Sequence, residues 1–181
     1  MNPEELLRKY YSPDSLVYRI LLEHGKHVSG KAREIASRLP KQSPNMGFIN
    51  EAAYLHDIGI FLTNAPAIGC FGDAPYICHG VLGRDLLDRE GFPRHALVCE
   101  RHIGVGITQE DIERHGLPLP KRTMVPESLE EQIICYADKF FSKSADGPII
   151  EKSVDEVRNE IGRYGVAKLE IFDRMRALFS T

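Results

Sequence analysis

The chain contains no apolar run approaching the ~20 residues that a bilayer-crossing helix needs, and no block of basic residues. The first absence argues against a membrane span. The second, together with a formal net charge of −3, gives no electrostatic support to the binding of a nucleic-acid duplex. The opening stretch, MNPEELLRKYYSPDS, is polar and acidic and lacks the apolar centre of an export signal. Cysteine is sparse: Cys70, Cys78, Cys99 and Cys135 occur singly, with no CxxC spacing. This spacing argues against a zinc knuckle or a thioredoxin-like site. It predicts reduced thiols in a cytoplasmic protein, acting as small core hydrophobes. Strand-like alternation never persists, β-branched residues are not clustered, and no internal repeat is present.

What is present is a helical pattern over 181 residues, 43% hydrophobic and 27% charged. That composition suits one domain with a substantial core and a charged surface. We read a core over about 14–145 and a C-terminal helical extension over 150–181. A short helix is predicted over 3–10 and a long one from Pro13–Asp14, with the aspartate capping, to just before Pro40. Further helices are predicted from Met46 to Gly59, Pro75 to Gly91 (with Asp73 as a possible cap), Pro93 to His102, from Thr108, over Ser128–Phe141, and over Val154–Leu178. Gly59 suits a left-handed C-terminal position. The segment FLTNAPAIGCFGDAP reads as a loop, either a lid over a site or an ordinary surface connection. The final helix has enough apolar positions to pack the core or to form a homodimer contact.

Ionisable residues recur at the inward phase of these helices. His56 follows Ile49, Ala52 and Ala53 in EAAYLHDIGIF; Asp138 lies between Ile134 and Phe141 in IICYADKFF. His24 falls between Ile20 and Val28, His79 precedes Leu82 and Leu86, and His102 closes a helix carrying Val98 and Cys99. A lone inward histidine is usually a hydrogen-bonded core residue. Five helices each directing a His or Asp inward would accumulate burial penalties unless a shared partner relieved them. A divalent cation does so, and imidazole with carboxylate suits Fe, Mn, Co, Ni or Zn.

The order His, then HD, then two separated His, then a late Asp resembles the HD-domain superfamily of metal-dependent phosphohydrolases, with HDIG as the short form of its motif. Within HGKHVSGKAREIA, His24 has Val28, Ala32 and Ala36 at +4, +8 and +12, whereas His27 has Lys31, Ile35 and Leu39. His24 is therefore the better first ligand, and His27 a candidate for supporting it. The resemblance runs from about Val17 to Lys143, and HGVLGRDLL, CERHIGVGIT and SLEEQIICYADKF look like a small HDIG-type group of archaea and bacteria. It implies an all-α, compact helical bundle. It also implies two divalent transition metals: one held by His24, His56, Asp57 and Asp138, the other by Asp57, His79 and His102. Asp57 and His56 would be catalytic, with a metal-activated water attacking phosphorus.

Relatives that cleave cyclic dinucleotides carry HDIGK, whereas this chain has Ile60 at the lysine position, and no GYP restores that signature. Positive charge must come from elsewhere, and Arg101, Lys139 and Lys143 are the candidate substrate-binding residues. The implied substrate is a small phosphorylated molecule, a nucleotide or dinucleotide polyphosphate. Two alternatives stay open: a mixed-valent di-iron oxygenase of the same superfamily, with Tyr18 approaching an open iron position, and a non-catalytic metal- or nucleotide-binding module.

Overall fold

The computed structural model describes residues 1–145 and 147–179. The fold is an all-α bundle. Its helices are α1 (Pro3–Leu7), α2 (Leu16–Ser37), α3 (Met46–Leu55), α4 (His79–Arg89), α5 (Pro93–Arg101), α6 (Gln109–His115), α7 (Leu129–Asp138), α8 (Val154–Gly162) and α9 (Val166–Phe179). Among the described residues no helix is long and apolar enough to cross a membrane.

Side-chain caps set most helix starts. Asn45 accepts from the Phe48 amide, Ser128 from Glu131 and Ser153 from Glu156, and Thr108 forms a reciprocal box with Asp111. Each satisfies an amide that the first turn leaves unbonded. At α2 the cap is Ser15, accepting from the Tyr18 amide, rather than the expected Asp14. Likewise Asp73 caps nothing, because a 3-10 turn, Tyr76–Cys78, intervenes before α4.

Two other expectations fail for backbone reasons. The C-terminal helix is broken into α8 and α9 at Gly165, whose φ of +106° is a conformation open to glycine but not to a continuing helix. Gly59 is not left-handed, with a φ of −82°. It is glycine for lack of room: a Cβ there would lie 2.3 Å from the His79 carbonyl oxygen and 2.4 Å from the Gly83 nitrogen. The turn after the HD pair is thus pressed directly against the start of α4.

The segment 61–75 forms 3-10 turns and a two-residue antiparallel ribbon, β1 (Asn64–Ala65) with β2 (Cys70–Phe71), closing at Gly69. Three apolar clusters are present among the described residues, and two of them flank the site. One collects Val28, Ile35, Ile49, Ile133, Ile134 and Phe172 from α2, α3, α7 and α9. The other collects Leu7, Leu21, Leu55, Ile58, Leu86 and Cys99 from the N-terminal end and α4–α5. His24 lies on α2 between Leu21 of one and Val28 of the other, and His56 directly follows Leu55. The ionisable residues therefore occupy the seam between the cores. All four cysteines are unpaired thiols, three of them buried.

Candidate metal centre

Three of the histidines are positioned by one local device used three times. His56 stands at the C-terminal cap of α3, His102 at that of α5, and His79 at that of the 3-10 turn before α4. Carbonyls in a helix's last turn lack intrahelical partners. Each ring takes the carbonyl three residues back: His56 Nδ1–H donates to Ala53 O at 2.7 Å, His79 Nδ1–H to Tyr76 O at 2.6 Å, and His102 Nδ1–H to Cys99 O at 2.8 Å. A carbonyl only accepts, so Nδ1 carries the proton and Nε2 is the atom turned inward. His24 differs. It is mid-helix on α2, and its Nδ1 is buried without a hydrogen-bond partner.

The inward atoms form two overlapping groups. His24, His56, Asp57 and Asp138 bring one ligand atom each to within 4.8 Å of one another, as do Asp57, His79 and His102. All six residues are buried. In the first group His24 Nε2 lies 3.3 Å from Asp57 Oδ2 and 3.0 Å from Asp138 Oδ1, while His56 Nε2 lies 3.0 Å from Asp57 Oδ2. In the second, His79 and His102 Nε2 stand 3.1 Å apart and 3.3 and 3.5 Å from Asp57 Oδ1. Asp57 faces both groups, one oxygen to each.

Their electrostatics differ. Burial alone would lower the His56 pKa, but Asp57 and Asp138 outweigh it and raise it to about 9. His79, lowered by burial against the pull of Asp57, falls to about 3, and burial also lowers His102. Both carboxylates stay well below the usual range despite burial: His56 and Lys143 hold down Asp57, and Lys139 foremost holds down Asp138. Two neutral imidazoles and a carboxylate oxygen thus converge in the second group, three lone pairs with no donor among them. A divalent cation matches that set, and nitrogen with carboxylate donors suits a first-row transition metal.

Of the candidate basic residues, Lys143 Nζ reaches Asp57 Oδ2 at 2.6 Å. Lys139 Nζ lies 2.7 Å from Asp138 Oδ2 and donates to the His102 carbonyl at 3.0 Å. Arg101 turns away, to Glu127 and Glu131, each at 3.0 Å. His27 pairs with Glu23 at 3.1 Å, outside the cluster. The Tyr18 hydroxyl accepts from Arg8 Nε at 3.0 Å, so it is engaged towards α1.

The centre opens through a cavity of about 430 Å³ lined by Ala65, Ile68, Tyr76, Lys143, Lys152 and Glu160, among others. The segment 61–75 therefore forms one wall of the mouth. A larger cavity of about 640 Å³, between the turn after His102 and the α8–α9 corner, is lined by none of the six clustered residues. Tyr76, Lys152 and Glu160 were not singled out in the sequence. Tyr76 had a usable signal, because it precedes His79 by the same three residues that separate Ala53 from His56 and Cys99 from His102.

A family model for the HD domain matches residues 21–142. The chain belongs to the HD-domain family. The fold agrees: the HD domain of a L. monocytogenes phosphodiesterase, PgpH, superposes with a TM-score of 0.52 at 15% identity, covering 90% of this chain and 91% of that one. A Thermoplasma volcanium tRNA (cytidine(56)-2'-O)-methyltransferase is 34% identical over 139 residues, 76% of this HD-domain chain but 35% of that enzyme. The Picrophilus torridus enzyme of the same name is 31% identical, over 68% of this chain and 32% of its own length. An uncharacterised Methanocaldococcus jannaschii protein is 36% identical over 66% of this chain and 65% of that protein. This HD-domain chain thus spans about a third of each methyltransferase and just under two thirds of the third relative.

Proposed function

We propose that the protein is a metal-dependent phosphohydrolase that cleaves a phosphoester or phosphoanhydride bond of a small molecule, a nucleotide or dinucleotide polyphosphate. The observation that carries this is the convergence of His79, His102 and Asp57 Oδ1, acceptor atoms that together suit a divalent cation. His24, His56, Asp57 Oδ2 and Asp138 would hold one divalent ion; Asp57 Oδ1, His79 and His102 would hold the other. When bound, such a pair lowers the pKa of water towards neutrality and neutralises charge on phosphoryl oxygens. Asp57 would serve both positions, since one of its carboxylate oxygens faces each group. His56, oriented by Ala53 O, lies against Asp57 Oδ2 and, as a neutral imidazole, would offer Nε2 to the ion. Lys143, within reach of both Asp57 and the mouth, meets the incoming phosphate. Lys139 balances Asp138 at the floor.

The methyltransferase names of two relatives describe proteins about three times the matched length. The donor set here favours hydrolysis, because clustered imidazole and carboxylate groups serve cation binding, which accepting a methyl group does not call for. The test is turnover: protein loaded with Mn²⁺ or Fe²⁺ is expected to release phosphate from a member of a nucleotide panel. His79→Ala retaining full activity would overturn the assignment. Substrate-dependent oxygen uptake without phosphate release would favour a di-iron oxygenase instead.

A further inference from the structure

The cations of the mouth are not equivalent. Lys139 and Lys143 are half-buried and engaged with the two carboxylates of the centre, at 2.7 and 2.6 Å. Lys152 is different in both origin and partner. It comes from the segment leading into α8, beyond the residues 21–142 that match the family. Its backbone amide donates to Phe140 O at 2.9 Å, which ties that segment to the end of α7. Its ammonium meets Glu160 of α8 at 2.7 Å, and Glu160 is 46% exposed. An ion pair with one arm in solvent is held weakly. Lys152 can therefore exchange that carboxylate for a phosphate oxygen at small cost, while its backbone stays bonded to Phe140 O. A cavity of about 430 Å³ also has more room than one phosphoryl group requires.

We propose that Lys152, poised by Glu160, is a specificity-determining residue of this mouth. It would engage a second anionic group of the substrate, outward of the one that enters the centre. The inference rests on the phosphohydrolase reading and sharpens it: a di- or polyphosphate is preferred over a lone phosphate by a residue outside the family match. The carboxylate makes the proposal falsifiable, since the two partners should act with opposite sign. Losing Lys152 removes an attraction, while losing the charge of Glu160 frees the lysine.

The experiment is calorimetric titration of the full metal-loaded chain with inorganic pyrophosphate and, separately, orthophosphate, with metal content checked before and after. Lys152→Met is expected to weaken pyrophosphate about five- to tenfold and to leave orthophosphate within about twofold, as for a rim charge acting at one subsite. Glu160→Gln is expected to tighten pyrophosphate about twofold. Equal weakening of both anions by both variants, with matching losses of Tm, would make the pair a structural brace and overturn the proposal. So would an unchanged preference in Lys152→Met. Because the readout is binding, failure of every nucleotide to turn over would defeat the hydrolase reading while leaving this comparison intact.

Discussion

The two halves of the centre share Asp57 and little else. Around Asp57 Oδ2, two carboxylates are interleaved with groups that carry protons: His56, held protonated up to about pH 9 in the metal-free state, Lys143 and Lys139. That half compensates its own charge. Around Asp57 Oδ1 stand two imidazoles that burial keeps neutral, each with its proton directed away to a carbonyl. That half has no internal remedy. A site can therefore be built for a cation in two ways: with exchangeable protons and an ammonium as substitutes, or with the positions simply left as converging lone pairs. The second is the stronger indication of a metal, because the ring protons on that side are turned away to carbonyls.

The largest effect should come from removing what both halves share. Asp57→Ala leaves the half-buried Lys143 ammonium without its carboxylate, costing about 3 kcal/mol by denaturant titration, the low end for such pairs, and should abolish hydrolysis. Unchanged stability would show that Lys143 does not depend on Asp57. Next, pH should separate the halves in metal-free protein. His56 has a folded pKa raised above the usual 6.5, so its contribution is complete below pH 6.5 and lost as pH rises through about 9. His79 has a depressed pKa, so its contribution is complete above pH 6.5 and lost as pH falls towards about 3. His79→Gln should make the acid limb shallower, leaving the part due to Asp57 and Asp138, and should not change the alkaline limb, as seen in stability measured against pH.

A gentler perturbation is Gly59→Ala, whose methyl would collide with the backbone of α4 beside His79. Overpacking of this kind costs about 1–3 kcal/mol, and elemental analysis should show metal lost from the second half before the first. His79→Ala should reduce bound metal from two ions to one, with a loss of affinity at that position beyond the roughly 10–100-fold typical of an orienting partner. The smallest effect serves as a control. Gly165→Ala strains the α8–α9 junction by roughly 1–2 kcal/mol and should lower Tm with no change in metal content.

Much of this was legible in the chain before any coordinates. Helical phase turned His24, His56, His102 and Asp138 inward, since burial on one stripe leaves a periodic record. It also separated His24 from His27, which the structure leaves partly exposed beside Glu23 and against Phe141. Less legible was anything set by the direction of a side chain leaving a helix end. Arg101 was suggested by adjacency to His102, yet neighbouring helical residues point about 100° apart, and it turns to Glu131 instead. Gly59 looked like a terminator because glycine has two separate uses, and only the proximity of His79 and Gly83 shows which applies. Lys152 and Glu160 meet at the mouth through a non-periodic segment, which leaves no pattern to read.

The three capped histidines have a consequence for how such centres are assembled. Each ring receives its orientation from a carbonyl within its own turn, so it arrives aimed as soon as its helix stops, without waiting for distant groups to align it. A side chain of that kind behaves as a self-contained cartridge. Replacing one of the three should leave the aim of the other two intact, because no ring takes its Nδ1 partner from another.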